Sequence, residues 1–286
     1  MTSTSTTIAV SGASGHLGGR IIEHLLAAKK TAKIIAISRK PVNIAGVESR
    51  IADLDDAKSV RASFAGVDRL VVVMTDSLGR RVGQLKTAID AAVAAGVKRV
   101  VLYGVAGAKV SNVHFGDEYF EIEQYAFKTI PNNNWTVLRM VLFAESVVGL
   151  AVTPDNNVVG FSPTRKINIA SRDDLAAATA AVLLADTNEH NGAIYHITGS
   201  KSLTLAEIAS VVARVTGKPS MVHVINSAAY KAQLAAAQLP PPVIDLLNAV
   251  HVGAAAGDLD VTTGDFERLT GAEPQTFEEV LRKAQK

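Results

Sequence analysis

Thr7-Ile8-Ala9-Val10-Ser11, then Gly12-Ala13-Ser14-Gly15-His16-Leu17-Gly18, then Gly19-Arg20-Ile21-Ile22-Glu23-His24-Leu25-Leu26: this run near the start of the chain decides the fold. A short apolar segment meets three glycines at a spacing of three, and a helical pattern follows at once. Strand, tight turn and helix N-terminus in that order form the arrangement that receives a pyrophosphate. Gly12 permits the sharp turn off the strand. Gly15 lets backbone approach the phosphates, and Gly18 lets the helix lie close to the strand. Ser14, His16 and Leu17 complete the phosphate turn, with the His16 ring placed to flank a bound dinucleotide. The unpaired N–H groups of the helix and its dipole then face the anion.

Outward from this run, short β-rich segments alternate with alanine-rich amphipathic ones. Strands are predicted at 33–37, 47–51, 69–74, 99–103 and 135–139, and helices at 57–65, 82–95 and 119–128. Strands apolar on both faces, alternating with helices, imply a parallel sheet covered on each side, an α/β doubly wound Rossmann-type fold. A further helix is expected at 173–185, capped by Ser171, and a late strand at 193–197 is expected to rejoin the sheet. From Ser202 the pattern turns mostly helical, at 205–216, 228–238, 243–250 and 277–284. The expected organisation is a dinucleotide domain of 1–150 and 168–200 and a smaller, mostly helical substrate lobe of 151–167 and 201–286.

Composition narrows the function classes. The 286 residues are 48% hydrophobic, enough for a full core without staples. The absence of cysteine excludes disulfides, thiolate catalysis and cysteine metal sites. None of the seven histidines pairs with a carboxylate at metal-ligand spacing. A net charge of +2 without a basic block argues against nucleic acid as a partner. The N-terminus lacks the order of a signal peptide, and no apolar run approaches the roughly 20 residues of a membrane span. The chain therefore reads as a soluble cytoplasmic protein. The alanine-rich helix at 82–95 offers a surface for a homodimer.

Cofactor preference is read at the end of the second strand. An NAD-selective site places a carboxylate there, about 20 residues past the glycines, on the ribose 2′-hydroxyl. Here the position holds Ser38-Arg39-Lys40, followed by Pro41. No acid repels a 2′-phosphate, and two cations and a hydroxyl can pair with it, which favours NADPH over NADH. The alternative is an ordinary solvated charge pair. Asp53, with Leu54 just past the third strand, fits either the adenine amino group or the cap of the helix at Ala57. Thr75 and Asp76 follow the fourth strand on the ligand-binding edge of the sheet. Arg80 and Arg81 nearby read as surface charge or as a second phosphate contact.

At these residues the chain resembles the NmrA-like branch of the atypical short-chain dehydrogenase/reductases. Within it the chain is most similar to bacterial NAD(P)H:quinone reductases, with triphenylmethane reductase a little further off. The resemblance runs nearly the full length, through 12–18, 38–41, 91–98, 117–123, 136–139 and 170–176. It implies a Rossmann-type domain with a small substrate lobe and a nicotinamide cofactor, usually NADPH. It also implies direct hydride transfer to a small flat acceptor, although some members act as redox-linked regulators without catalysis.

The Tyr-x-x-x-Lys pair of the wider superfamily, in which lysine lowers the tyrosine pKa, is absent. Tyr119 is followed four residues on by Glu123, and Tyr125 has Lys128 at spacing three. Quinone-reductase relatives commonly carry histidine at the place of Tyr119, lysine at Gln124 and asparagine at Met140, so this chain departs at all three. The loss argues against alcohol–ketone chemistry and sugar-nucleotide epimerisation. It argues less against quinone reduction, where an aromatic product anion needs little acid help and orientation supplies much of the rate. Candidates for the acceptor pocket are Tyr103, His114, Phe115, Tyr119, Met140 and Phe143, with Glu145 beside them. Phe115 and Phe143 fit a sandwich around a flat ring or ordinary core packing. Tyr103, which also borders the cofactor site, fits ligand contact or structure. The readings that follow are an NADPH-dependent reductase of quinones or similar flat aromatic electrophiles, and, second, a non-catalytic NADP(H) sensor that binds a protein partner.

Overall fold

Thr6–Ser11 form β1, and a seven-stranded sheet is built around it. The computed structural model describes residues 6–106 and 116–285. After β1 come α1 (His16–Ala27), β2 (Ala32–Ser38), β3 (Val47–Ile51), α2 (Ala57–Ser63), β4 (Arg69–Val72), α3 (Arg81–Ala94), β5 (Arg99–Val105), α4 (Asp117–Thr129) and β6 (Trp135–Met140). The chain continues through β7 (Leu142–Phe143), α5 (Ala144–Ala151), β8 (Val158–Gly160), β9 (Lys166–Ala170), α6 (Arg172–Leu184) and β10 (Ala193–Ile197). It ends with β11 (Ser202–Thr204), α7 (Leu205–Thr216), β12 (Val222–Val224), α8 (Ser227–Ala236), α9 (Pro241–Ala256), α10 (Asp265–Thr270) and α11 (Phe277–Ala284). Two units divide these elements. The first comprises the described residues within 1–104, 118–139 and 175–195, the second those within 105–117, 140–174 and 196–286.

In the first unit the strand order is β10-β6-β5-β4-β1-β2-β3, the doubly wound order with β10 added at one edge. β1 runs parallel to β2 and β4, β2 to β3, and β4 to β5. Alternate residues fill the two faces. Ile35, Ile37, Leu70, Val72, Val100 and Leu102 pack with Phe64, which follows α2, and with Leu85, Ile89 and Ile122 from α3 and α4. Their neighbours in sequence, among them Ile34, Val71 and Val101, are equally buried. That is why these strands read as continuous apolar runs. Each large buried side chain contributes about 1.5–3 kcal/mol.

The C-terminal end of α6 is fixed by three cations that sequence patterning does not reveal. Lys30 donates to the Leu184 carbonyl at 3.0 Å and Arg69 to that of Leu183 at 2.7 Å. Arg99, buried at the start of β5, donates to the Val182 and Ala185 carbonyls and to Thr187. These groups satisfy carbonyls that have no partner inside the helix, where the dipole favours positive charge. The N-terminus of α6 is capped as expected, the Asp174 amide donating to Ser171 Oγ at 2.8 Å.

The second unit is mostly helical, as its sequence suggests, and adds short strands that the sequence does not announce. β11, β9 and β7 form a three-stranded sheet, and β12 pairs with β8. β7 pairs with β9, Leu142 against Ile169, so the segments 140–150 and 168–174 pack with this unit, although the sequence reading assigns them to the dinucleotide domain. Its core gathers Val158, Ile167, Ile169, Leu203, Ile208, Val212, Leu259, Phe277 and Leu281. α7 and α11 both begin with a reciprocal capping box, Thr204 with Glu207 and Thr276 with Glu279. α9 starts within the proline run, because a first-turn residue needs no N–H, and continues to Gly257. Among the described residues, no helix is long and apolar enough to cross a membrane and no group of three histidine or acidic side chains is placed to hold a metal.

Candidate functional site

The turn after β1 is built by close approaches. Gly12 has a φ of +87°, and a Cβ there would lie 2.9 Å from Val73 Cβ. The amides of Gly12 and Ala13 both donate to the Ile37 carbonyl, at 3.0 and 3.1 Å, which ties the turn to β2. At Gly18 a Cβ would lie 2.2 Å from the Gly12 carbonyl oxygen, so α1 is seated directly on the turn. The N-cap residue Gly15 gives α1 no side-chain cap. Its first-turn amides therefore present donors and the positive end of the dipole without a local acceptor.

Beside this turn lies a cavity of about 220 Å³ in the first unit. It gathers Gly12, Ser14, Gly15, Ser38, Arg39, Asp53, Leu54, Thr75 and Asp76, all singled out from sequence. Ser14, Gly15 and His16 also line an adjoining hollow with Gly19. Leu17, Gly18 and Lys40 do not line the cavity, and Gly18 acts through the seating of α1. The buried Ser38 hydroxyl donates to the Lys40 carbonyl, which folds the segment so that Arg39 lines the cavity. Arg39 is exposed and has no carboxylate partner among the described residues. Asp53 accepts from the Asp55 amide at 3.0 Å. The cap of α2 is Asp56, which accepts from the Lys58 amide, so Asp53 does not cap this helix.

The sequence leaves Arg80 as surface charge or a phosphate contact, and Asp55 and Gln84 carry no signal in it, yet all three line the cavity. Arg80 and Asp55 pair across it at 2.9 Å, and Gln84 accepts from the Thr75 hydroxyl at 2.5 Å. Asp55 and Arg80 stand 25 residues apart. Only the return of β3 and β4 to the same sheet edge brings them together.

The acceptor-side candidates are placed unevenly. Tyr103 is 3% exposed, and its hydroxyl is 2.8 Å from Thr179 Oγ1, so its side chain belongs to the sheet core and lines neither hollow beside the turn. Tyr119 stacks on Arg81, whose guanidinium lies 5.3 Å from the ring centroid and pairs with Glu118. Burial raises the Tyr119 phenol above its ordinary range, against the pull of Arg81, so it is a hydrogen-bond donor rather than a base near neutrality. Tyr125 donates to Asp90 at 2.7 Å and forms no dyad with Lys128. In the second unit, Met140 ends β6, and Phe143 lies under the Arg172 guanidinium at 5.1 Å. Glu145 accepts from the Arg172 amide. His114 and Phe115 lie outside the described residues.

Glu123 stands where the superfamily lysine would be. It is 2% exposed and takes two hydrogen bonds from Arg139, at 2.7 and 3.1 Å. A carboxylate held this way is committed to its pair with Arg139. Arg139→Met leaves it buried without its partner and is expected to cost about 3–5 kcal/mol. The denaturant midpoint measures that loss, and an unchanged midpoint would refute the assignment.

A second, apolar cavity lies wholly within the second unit, with Phe161 and His251 among its walls. Burial pushes the His251 imidazole down to about 4. An unfolded histidine titrates near 6.5, so between those values the unfolded chain binds a proton that the folded chain excludes. Stability is full above about pH 6.5 and falls as pH drops toward 4. Urea midpoints are expected to show a loss of about 2 kcal/mol from this residue between pH 7 and pH 5, absent in His251→Phe.

The strand order and the uncapped, glycine-seated helix define a Rossmann-type dinucleotide-binding protein. The chain belongs to the NmrA-like family, whose family model matches residues 4–281. It is 30% identical over 281 residues to quinone oxidoreductase 2 of Escherichia coli (strain K12), across 95% of this chain and 96% of that one. The solved structure of an NADPH-dependent quinone oxidoreductase from Escherichia coli, complexed with NADPH, matches with a TM-score of 0.88 at 28% identity, covering 98% of this chain and 100% of that one. Triphenylmethane reductase of Citrobacter sp., complexed with NADP(H), matches with a TM-score of 0.83 at 29% identity, covering 97% and 99%. The NAD(P)H azoreductase of Xenophilus azovorans is 25% identical over 279 residues, 96% of each chain.

Proposed function

We propose that this protein is an NADPH-dependent oxidoreductase that passes hydride to a quinone or a similar flat electrophile. The observation that carries the reading is the first-unit cavity, where an uncapped helix N-terminus adjoins an arginine without a carboxylate partner among the described residues. The near full-length likeness to quinone oxidoreductase 2 supports it. NADPH, when bound, supplies a hydride, which with one solvent proton converts a quinone to its hydroquinone and leaves NADP⁺.

The chain's own residues bind and orient. The amides at the start of α1, from His16 on, take the pyrophosphate, and Gly12 and Gly18 let backbone stand where a side chain would block it. Arg39, presented by the Ser38–Lys40 turn, takes the 2′-phosphate through charge-assisted hydrogen bonds, which favours NADPH over NADH. Asp53, Leu54, Thr75 and Asp76 border the remaining nucleotide surface. No tyrosine–lysine pair holds a proton, because Glu123 is committed to Arg139. This suits an acceptor whose reduction product is an aromatic anion and suits ketones poorly. The same feature motivates the second reading, a cofactor-sensing protein without turnover.

Purified protein with NADPH and 1,4-benzoquinone separates the two. Loss of nicotinamide absorbance in proportion to enzyme, over a blank, is the expected result. Bound NADPH that no quinone oxidises would favour the sensor.

A further inference from the structure

β12 is the open edge of a two-stranded sheet, and β8 is its one neighbour among the described strands. The Val158 amide donates to the Met221 carbonyl at 2.8 Å, and the Ile225 amide donates to the Gly160 carbonyl at 3.1 Å. Residues 221, 223 and 225 therefore turn their backbone groups toward β8. Val222 and Val224 turn theirs the other way, where no described residue meets them. A row of outward amides and carbonyls is a template for another strand.

This edge is also apolar and unguarded. Met221 is 62% exposed and Val224 50%. Val222 packs against the core of the second unit, and Val224, on the same face of the strand, is left uncovered. Residues 220–230 include no aspartate, glutamate, lysine, arginine or proline, the residue types that keep exposed edges from pairing. β3, an edge of the large sheet, is built differently. Glu48 and Arg50 pair on it, and Glu48 also holds Lys33 of β2 at 2.6 Å. One edge is defended by charge and the other is not.

We propose that β12 is a self-association surface and that its partner is β12 of a second copy of this chain. Val222-His223-Val224 is symmetric about His223. Laid antiparallel about a twofold axis at His223, Val222 of each copy faces Val224 of the other. These are the two residues whose amides and carbonyls point outward, so both pairs are hydrogen-bonded ones. His223 against its own counterpart is the non-hydrogen-bonded pair between them. A slip of one residue would set outward groups opposite groups already turned to β8. The pairing joins two β12–β8 ribbons into one four-stranded sheet. It covers each Val224 with a Val222, and no like charges meet in it.

The chain has no cysteine, so one introduced thiol reports this register alone. The paired 223 positions have Cα atoms about 4.5 Å apart, within disulfide reach. Met221 faces Ile225 of the second copy, and its own counterpart lies roughly 13 Å away. Under mild oxidation His223→Cys is expected to give a disulfide-linked dimer on a non-reducing gel. Met221→Cys is expected to stay monomeric, although Met221 is exposed enough to link by collision. Sedimentation velocity on the wild type is expected to show monomer giving way to dimer as concentration rises through the micromolar range. Val224→Lys should move that transition up roughly tenfold or more, because the twofold axis places the change in both copies. Coincident thermal melts at dilute concentration and an unchanged NADPH affinity are expected, and they report that the variant folds. A wild type that stays monomeric throughout overturns the proposal and leaves the edge to an extended segment of a different protein. A dimer that survives Val224→Lys, or Met221→Cys linking as readily as His223→Cys, overturns it too and places the contact elsewhere.

Discussion

Gly18→Ala is expected to weaken NADPH binding roughly a hundredfold or more, whereas Gly19→Ala, one residue further on, is expected to leave it nearly intact. The two positions share a helix and a residue type, and they differ in what a methyl group would meet. At Gly18 it would lie 2.2 Å from the Gly12 carbonyl oxygen and 2.9 Å from Ala13 Cα, both backbone atoms that no rotamer change can move. At Gly19 the nearest atom is the Ala13 carbonyl oxygen at 3.9 Å, an ordinary contact. The first substitution must lift α1 off the turn, at a cost of about 3 kcal/mol or more. It also withdraws at least two donors from the phosphates at about 1.5–3 kcal/mol each, a loss of roughly a hundredfold or more in affinity. The second replaces a helical glycine and should stabilise by up to about 1 kcal/mol. Calorimetric titration with NADPH and a thermal melt of each variant decide it. Equal behaviour of the two would show that the turn does not hold the cofactor.

Arg39→Ala is expected to weaken NADPH and to leave NADH almost unchanged. Arg39 lines the cavity, is exposed, and has no carboxylate partner among the described residues, so it contributes little to the fold. A charge-assisted hydrogen bond to a phosphate is worth about 1.5–3 kcal/mol, which makes the expected loss roughly tenfold to a hundredfold for NADPH alone. Arg80 is a poor substitute because Asp55 already holds it at 2.9 Å. Asp55→Asn in the Arg39→Ala background frees that second cation and should recover part of the NADPH preference. Equal weakening of both dinucleotides in Arg39→Ala would remove the 2′-phosphate assignment.

The first unit was legible because its signals are local and periodic. β1, the glycine turn and α1 occupy one short stretch, and strands buried on both faces produce apolar runs that helices interrupt. Ser171 also announced its cap. Pairings between distant segments were not legible. Nothing near Glu123 predicts that Arg139 will neutralise it, and nothing near Asp55 points to Arg80. Tyr103 could not be resolved from sequence, since a strand-end tyrosine reads the same whether its hydroxyl meets a ligand or, as here, Thr179. The second unit is mostly helical as read, but its short strands were not legible, because β7, β8, β11 and β12 have only two or three residues each, too few to establish a period of two. The same blindness misplaced the segments 140–150 and 168–174, whose allegiance is set by the β7–β9 pairing. The capping boxes at Thr204 and Thr276 were readable signals for the starts of α7 and α11.

An anaerobic single-turnover experiment tests the central claim most directly. Protein preloaded with one equivalent of NADPH is mixed with one equivalent of 1,4-benzoquinone, and nicotinamide absorbance and hydroquinone are followed together. The account predicts that NADPH disappears and hydroquinone appears one for one, faster than in free solution, and that Arg39→Ala lowers loading more than the rate once loaded. NADPH that stays bound and reduced beside the quinone, or is consumed no faster than without protein, would contradict it.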